Sequence, residues 1–524
     1  MGLTFKRPCW GEVGPHWPDS TAAVGIDPRE WGRWWQEVMG VGRGIHWFRN
    51  DLRLRDNTAL NALLDRVDEW LPVFVLDPRL IGPRHGGGPR VRFLIDCVER
   101  LEETLGRRGV PLIVRCGRPE EVLPRLLGET RATLLSFNQG TSPFARGRDR
   151  AVRLSAESHG CEVLSPLDHV VFRAEDIRKA NGEAGYTVYS PYRKRWWQQW
   201  SELARPPVPA RRLPRPIPGF RRAGVPDAAS LGLPPEDCAV ATGGEAAGMR
   251  RLTTFLEKRA ARYHIDRDRP DLDGTSRLSP HLRFGTVSIR DCFERGRYAA
   301  EIEPEGAEGV EKWLDELVWR EFYSAILEQH PQVLKRNFRP EYDTLEWRDD
   351  PEGFSAWCEG RTGFPIVDAG MRQLRATGWM HNRVRMIVAS FLTKDLLIDW
   401  RKGERFFFDR LIDWDPASNN GGWQWAASTG TDAQPYFRIF NPTTQGKRWD
   451  PDGTYVKRWV PELRGVAKRR IHEPAGVPEA SEYPGPILVH AERRVQALER
   501  FERARARSAV SQPAASCSPG RSAG

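Results

Sequence analysis

Between positions 413 and 446 the chain reads DWDPASNNGGWQWAASTGTDAQPYFRIFNPTTQG, with few large aliphatic residues and many polar, glycine and aromatic ones. A hydrophobic core has no need of Asp413, Asp415, Asn419 and Asn420 so close together, because buried carboxylates and amides cost free energy unless something polar engages them. A calcium loop would use such acids, but the ligand spacing and the closing acid are absent. The segment therefore points to a buried polar ligand. Three other segments add candidates, each with a plainer use. GTSRLSPHLRFG (274–285) offers the hydroxyls of Thr275, Ser276 and Ser279 at a helix start. Hydroxyls and free N–H groups there suit a diphosphate or simply cap a helix. In WLDELVWREFY (313–323), Glu316, Trp319 and Arg320 fall at i, i+3 and i+4. They share one helical face, fit either to grip a planar polar ligand or to form the solvated side of a half-buried helix. In GWMHNRVRMIVASF (378–391), Trp379, Asn382, Arg383 and Met386 are spaced as one stripe, with His381 and Arg385 off it. His381 has no second His or Cys at ligand spacing, which argues against a metal.

These segments need a scaffold to bring them together. GIHWFRN (44–50), LPVFVLD (71–77), VPLIVRCG (110–117) and ATLLSFN (132–138) read as buried strands. Helical stretches separate them, at 57–66 with Asp56 as N-cap and at 90–108, RVRFLIDCVERLEETLGRR. Short apolar runs alternating with helices predict a doubly wound parallel sheet, a Rossmann-like α/β domain over 44–172. Residues 173–242 read as a linker, exposed in its Pro- and Arg-rich part from 203 to 240, and 243–505 as a helical domain. Residues 1–42 read as an extension, with Met39 as an alternative start, and 506–524 as a disordered tail.

Composition narrows the class. The net charge of +10 favours a polyanion such as nucleic acid, although an arginine-rich composition raises charge by itself. Twenty-one tryptophans pack cores, and indoles also carry electrons between a buried redox centre and solvent. Eight scattered cysteines include no CxxC pair, so no zinc ribbon or iron–sulfur set is indicated, and unpaired thiols fit a reducing cytoplasm. There is no apolar run of transmembrane length and no secretion signal.

HWFRNDLRLRDN, GTSRLSPHLRFG, WREFY, HNRVRM, DWDPASNNGGWQWA and FRIFNPTTQG resemble the signature blocks of the cryptochrome/DNA photolyase family, in order from about residue 44 to about 505. The resemblance implies an α/β antenna domain followed by a large all-α domain that binds FAD and DNA. It further implies a class I cyclobutane pyrimidine dimer photolyase, a carbon–carbon lyase working in light with reduced FAD. Under it, Tyr263, Arg267 and the run Thr275, Ser276, Arg277, Leu278 and Ser279 lie near the adenine and diphosphate. Trp313, Arg320, Arg385, Asp413, Asp415 and Asn419 surround the ribityl and isoalloxazine parts, with Asn419 facing flavin N5. Glu316, Trp319, Asn382, Met386 and Trp425 contact the lesion, while Arg267 and Arg383 hold DNA phosphate. Trp347, Trp400 and Trp423 form an electron-transfer chain.

The (6-4) photolyases of the family place histidines where Asn382 and Met386 stand, and a signalling cryptochrome typically alters the lesion contacts or carries a longer tail. Many members carry Glu-Pro where this chain has Ser142-Pro143. The missing acid tells against a folate in particular, and the resemblance leaves the second antenna chromophore open between a folate and a deazaflavin, with altered or lost antenna binding the third outcome. The remaining implications are a monomer, DNA as partner, no metal, no membrane association and a cytoplasmic location at the nucleoid.

Overall fold

The computed structural model describes residues 42–511 apart from 82–87, 180, 184, 204, 234–237 and 239. The proposed extension, with Met39, and the last part of the tail lie outside the described residues. The described residues from Arg43 onward form one compact unit.

The first part alternates strands and helices: β1 (Arg43–Phe48), α1 (Thr58–Leu64), β2 (Glu69–Leu76), α2 (Gly88–Gly106), β3 (Ile113–Cys116), α3 (Pro119–Thr130), β4 (Leu134–Ser136), α4 (Pro143–Ser158) and β5 (Glu162–Leu164). The strands run in the order β3-β2-β1-β4-β5, every pair parallel. Both faces are covered, which is why β1 and β2 are apolar almost throughout. The two-residue alternation of a strand splits them between two cores. Ile45, Trp47, Leu71 and Val73 meet Leu123 and Val152 on one side. Phe48, Trp70 and Phe74 meet Phe93 and Leu101 on the other.

The α1 cap differs from the expectation. Asn57, not Asp56, is the N-cap, its side chain accepting from the Leu60 N–H. Asp56 lies one residue earlier in the left-handed region, at φ 49°. Its carboxylate instead takes Arg290 at 2.8 Å and the Val208 N–H at 2.9 Å. The acid was recruited by a distant arginine, which helix-start rules cannot see.

Part of the stretch expected to be linker is built in, while its Pro- and Arg-rich part from 205 to 232 is mostly exposed, as expected. It contains α5 (Tyr189–Leu203) and a two-residue strand β6 (Arg215–Pro216) that extends the sheet beside Glu69 and Trp70 of β2. Tyr189, Tyr192, Trp196 and Trp200 on α5 enter the core of the helical part. Ile217 enters the core of the sheet.

The helical part comprises α6 (Glu245–Lys258), α7 (Tyr263–Asp266), α8 (Ser279–Arg283), α9 (Ile289–Ile302), α10 (Ala307–Gln329), α11 (Pro351–Glu359), α12 (Pro365–Thr377), α13 (Asn382–Ser390), α14 (Trp400–Arg410), α15 (Pro416–Ala427), α16 (Pro442–Trp449), α17 (Thr454–Trp459) and α18 (His490–Ser511). α18 continues to Ser511, so the first residues of the expected tail are helical.

The sheet and the helices meet where strand β1 ends. Gly285 has φ +59°, and a Cβ there would stand 2.1 Å from the Asn50 carbonyl oxygen. Only glycine permits that approach. Beside it, the Leu52 N–H donates to the Phe284 carbonyl at 3.1 Å and Arg53 to the Gly285 carbonyl at 3.0 Å.

Candidate functional site: a cationic, aromatic cavity at the meeting of four helices

α10, α13, α14 and α15, with the residues around α7 and α8, enclose a cavity of about 530 Å³. α10 contributes Trp313, Glu316, Trp319 and Arg320, so the i, i+3, i+4 spacing does place three of them on one cavity face. Tyr189, from the stretch read as linker, stacks on Trp319 at 3.6 Å between centroids and an interplanar angle of 10°. Sequence spacing could not reveal that support.

The α13 stripe forms differently. The helix begins at Asn382, with His381 as N-cap accepting from the Arg383 N–H at 3.2 Å. Trp379 therefore lies outside the helix. Asn382, Arg385 and Met386 reach the cavity. Arg383 turns away to Asp268 at 2.8 Å and over the Trp449 ring at 4.7 Å. Burial, with lesser contributions from neighbouring charges, pushes His381 down to about 3, so it caps as a neutral ring.

α15 opens on Asp415, whose side chain accepts from the Ala417 and Ser418 N–H groups, both at 3.0 Å. Burial works against the Asp415 charge, but the Arg283 and Arg320 guanidiniums and the Ser418 N–H outweigh it and hold the carboxyl below its ordinary range. Proline at the first helical position and an Asp cap explain the local fold of DWDPAS. Asn419, Gly422, Trp423 and Trp425 then face the cavity. Nothing lies within 4 Å of a Cβ added at Gly422, so the cavity approaches bare backbone there.

The hydroxyl run behaves unlike a cap. α8 is capped by Leu278 without a side-chain hydrogen bond. Ser279 Oγ donates instead to Asp413 Oδ2 at 2.6 Å, and Arg385 reaches the same oxygen at 2.7 Å. Tyr263, Arg267, Ser276, Leu278 and Ser279 line the cavity, whereas Thr275 and Arg277 do not. Arg277 pairs with Asp273 at 3.2 Å and lies over the Trp379 ring.

Five cations (Arg267, Arg283, Lys312, Arg320 and Arg385) and three acids (Glu316, Asp413 and Asp415) line the space, an excess of two positive charges. Asp413 Oδ1 is buried without a partner. An unmet buried carboxylate oxygen, exposed backbone and surplus positive charge fit a polar, doubly anionic ligand with a planar part. Arg283, Tyr323, Phe407 and Trp414 also line the cavity and were not singled out from sequence. Arg283 stood inside the LSPHLRFG block, but nothing in its spacing showed that it would donate to the Trp414 carbonyl at 2.7 Å.

Trp423 is buried against Phe407 and Trp357, with centroids at 5.0 and 6.1 Å. Trp400 shares its core, and Trp347 packs on the edge of that core, partly open. A second cavity of about 480 Å³ lies between the sheet and the helices, lined by Trp47, Phe144, Phe408 and Trp414 and by Arg49, Arg90 and Arg148. Ser142 at its rim caps α4, accepting from the Ala145 N–H at 3.3 Å.

A parallel α/β layer joined to a helical half with a cationic, aromatic cavity defines a two-part nucleotide-cofactor protein. The comparisons give it a family: residues 44–214 match DNA photolyase and residues 313–503 the FAD binding domain of DNA photolyase. The chain is 43% identical over 488 residues to the deoxyribodipyrimidine photo-lyase of Halobacterium salinarum, covering 88% of this chain and 99% of that one. It superposes on a class III photolyase from Agrobacterium tumefaciens with a TM-score of 0.82 at 35% identity, covering 89% and 98% of the two chains. An archaeal photolyase from Sulfolobus tokodaii with two FAD molecules gives a TM-score of 0.74 at 33% identity, covering 88% and 100%. The chain belongs to the DNA photolyase family and carries its FAD-binding domain. No helix among the described residues is long and apolar enough to cross a membrane.

Proposed function

We propose that this chain repairs cyclobutane pyrimidine dimers in DNA under near-UV to blue light. The observation that carries the proposal is one cavity lined both by Arg385, Asp413 and Asn419 and by Glu316, Trp319, Asn382, Met386 and Trp425. A cofactor and a flipped-out dimer would share it, as base-flipping enzymes require. FAD held there in its reduced form would supply light-driven one-electron chemistry, an electron lent to open the cyclobutane ring and then returned, with no net redox change.

The chain's own residues hold the partners. Arg385 and Asp413 form a charged clamp beside the ribityl and ring portion, with Trp313, Arg320, Asp415 and Asn419 completing that end. Tyr263, Ser276, Leu278 and Ser279 take the adenine and diphosphate end, and Thr275 and Arg277, which do not line the cavity, belong to the same run. Trp319 and Trp425 wall the dimer, while Glu316 and Asn382 hydrogen-bond the pyrimidine edges and Met386 fills the space beside them. Arg267, on the cavity wall, and Arg383, outside it beside Asp268, hold DNA phosphate. Trp423, Trp400 and Trp347 refill the cofactor with electrons. We assign the second cavity, with its arginines and aromatic rings, to an anionic planar antenna chromophore. The class I reading rests on the resemblance of the motif blocks, while the lesion-facing set supports a cyclobutane dimer over a (6-4) product. We place the division between antenna and catalytic domains within 173–242, and the protein acts as a monomer in the cytoplasm.

The test is purified, reduced protein mixed with an oligonucleotide bearing one thymine cyclobutane dimer, with a dark control and a parallel (6-4) substrate. Dimer loss only in light is the expected result. Repair of neither substrate with reduced FAD bound would overturn the proposal in favour of a light-sensing role.

A further inference from the structure

Asn419, on the cavity wall, is held from behind. Its Nδ2 donates to the main-chain carbonyl of Glu404 on α14 at 3.3 Å. A carbonyl oxygen can only accept, so the amide group is committed on that side and Oδ1 is the end left for the cavity. The next residue is held by the same glutamate. Asn420 Nδ2 donates to Glu404 Oε1 at 3.1 Å and to the Val333 carbonyl at 3.1 Å, while its Oδ1 accepts from Gln424 at 3.1 Å. One residue of α14 thus grips two successive asparagines of α15, through its backbone and its side chain. The Glu404 side chain also lines the second cavity, so it stands between the two cavities.

We propose that Glu404 is a positioning residue for the cofactor, fixing the orientation of Asn419 and placing a titratable charge behind it. The inference rests on the flavin reading above. The charges around Glu404 are Asp399, Arg401 and Arg405 on its own helix and cap. From α15 it meets the neutral Asn420, and Arg283 and Arg90 line the second cavity with it. None of these cations pairs with its carboxylate at ion-pair distance among the described residues. Burial pushes the carboxyl up to about 7, against the Asn420 hydrogen bond and the Arg401 charge, which favour ionisation. Below that pH the side chain is a neutral acid, and above it a carboxylate. A negative charge behind Asn419 opposes adding an electron to the cofactor, so rising pH lowers the flavin potential by a step beyond the ordinary proton-coupled slope.

The experiment measures the midpoint potential of bound FAD from pH 6 to 8 in the full-length protein, its Glu404→Gln variant and its Glu404→Asp variant. Glutamine keeps an acceptor for Asn420 but cannot titrate. The wild type should show the extra step near neutrality, Glu404→Gln should match it at pH 6 and stay above it at pH 8, and Glu404→Asp should retain a step. Glu404→Gln tracking the wild type across the range, or a wild type without the step, overturns the role of Glu404. If the wild type holds no flavin at all, the flavin reading itself fails, and flavin absorbance before the titration separates that outcome.

Discussion

Arg385 Nη2 stands 2.7 Å from Asp413 Oδ2, the oxygen that also accepts the Ser279 hydroxyl at 2.6 Å, while Asp413 Oδ1 is buried with nothing bonded to it. A charge so well held on one side and open on the other is built for a ligand. Asp413→Ala removes the acceptor and strands Arg385. A lost charged hydrogen bond is worth about 1.5–3 kcal/mol, or roughly ten- to hundredfold in affinity. FAD binding should weaken by that factor, read by fluorescence titration of the apoprotein. Wild-type affinity in the variant would remove Asp413 from the cofactor site.

Glu316 accepts from Arg267, and both side chains line the cavity. Glu316→Ala should therefore lower dimer affinity and repair together, by about tenfold or more, as expected for a lost charge-assisted contact. FAD content should stay at the wild-type level. Loss of flavin with intact dimer binding would reassign Glu316 to the cofactor.

Much of this geometry was legible in the sequence where local spacing governs it. Glu316, Trp319 and Arg320 had to share a face once α10 formed, and the cluster in DWDPASNN had to hold something polar. Long-range partners were not legible. Asp56 left the α1 cap for Arg290, Arg383 left the cavity for Asp268 and Trp449, and Tyr189 came from an apparent linker to stack on Trp319. Each depends on a neighbour more than 40 positions away, and periodicity carries no information at that range.

Two glycines mark close contacts between helices. A Cβ at Gly403 would stand 2.2 Å from Trp423, and one at Gly421 would stand 2.2 Å from Tyr323. Alanine at either site should destabilise by about 1–3 kcal/mol through overpacking. At Gly147 on α4 nothing lies within 4 Å. There the same change should gain up to about 1 kcal/mol from helix propensity. Urea unfolding of the three variants checks the contrast, and equal effects would refute the packing argument.

Asp168 joins the sheet to the helices, taking Arg53 at 2.6 Å, Arg290 at 2.6 Å and the Thr58 hydroxyl at 2.7 Å. Burial opposes its charge, but Arg53 and Arg290 prevail and hold the carboxyl well below the usual range. The unfolded carboxyl titrates near pH 3.9, roughly the value for a free aspartate. Its contribution is thus complete above that pH and is lost as pH falls further. Asp168→Asn should cost about 3–5 kcal/mol at pH 7, because it leaves buried Arg53 without an acid and Arg290 with Asp56 alone. It should also flatten the decline in stability below pH 4. A variant that keeps the wild-type acid slope would show that other carboxylates set it.

Trp423 lies in the cavity wall, and its ring packs on α14 at Gly403, one turn from Trp400. Trp400 is fully buried, its Nε1 donating to Asn337 Oδ1 at 2.9 Å, and Arg401 lies over its ring at 4.5 Å. Trp347 stands at the open edge of the same core. An electron entering from solvent by this route must cross Trp400. Trp357 also touches Trp423, but its other ring contacts among the described residues are the hard-to-oxidise Phe354, Phe406 and Phe407. Trp400→Phe should therefore abolish most light-driven reduction of oxidised FAD while leaving repair by chemically reduced protein intact, since phenylalanine keeps the packing but is far harder to oxidise. Trp357→Phe should leave both unchanged. Flash absorption on the two variants decides between the routes: reduction that survives at Trp400→Phe and fails at Trp357→Phe would move the path to Trp357.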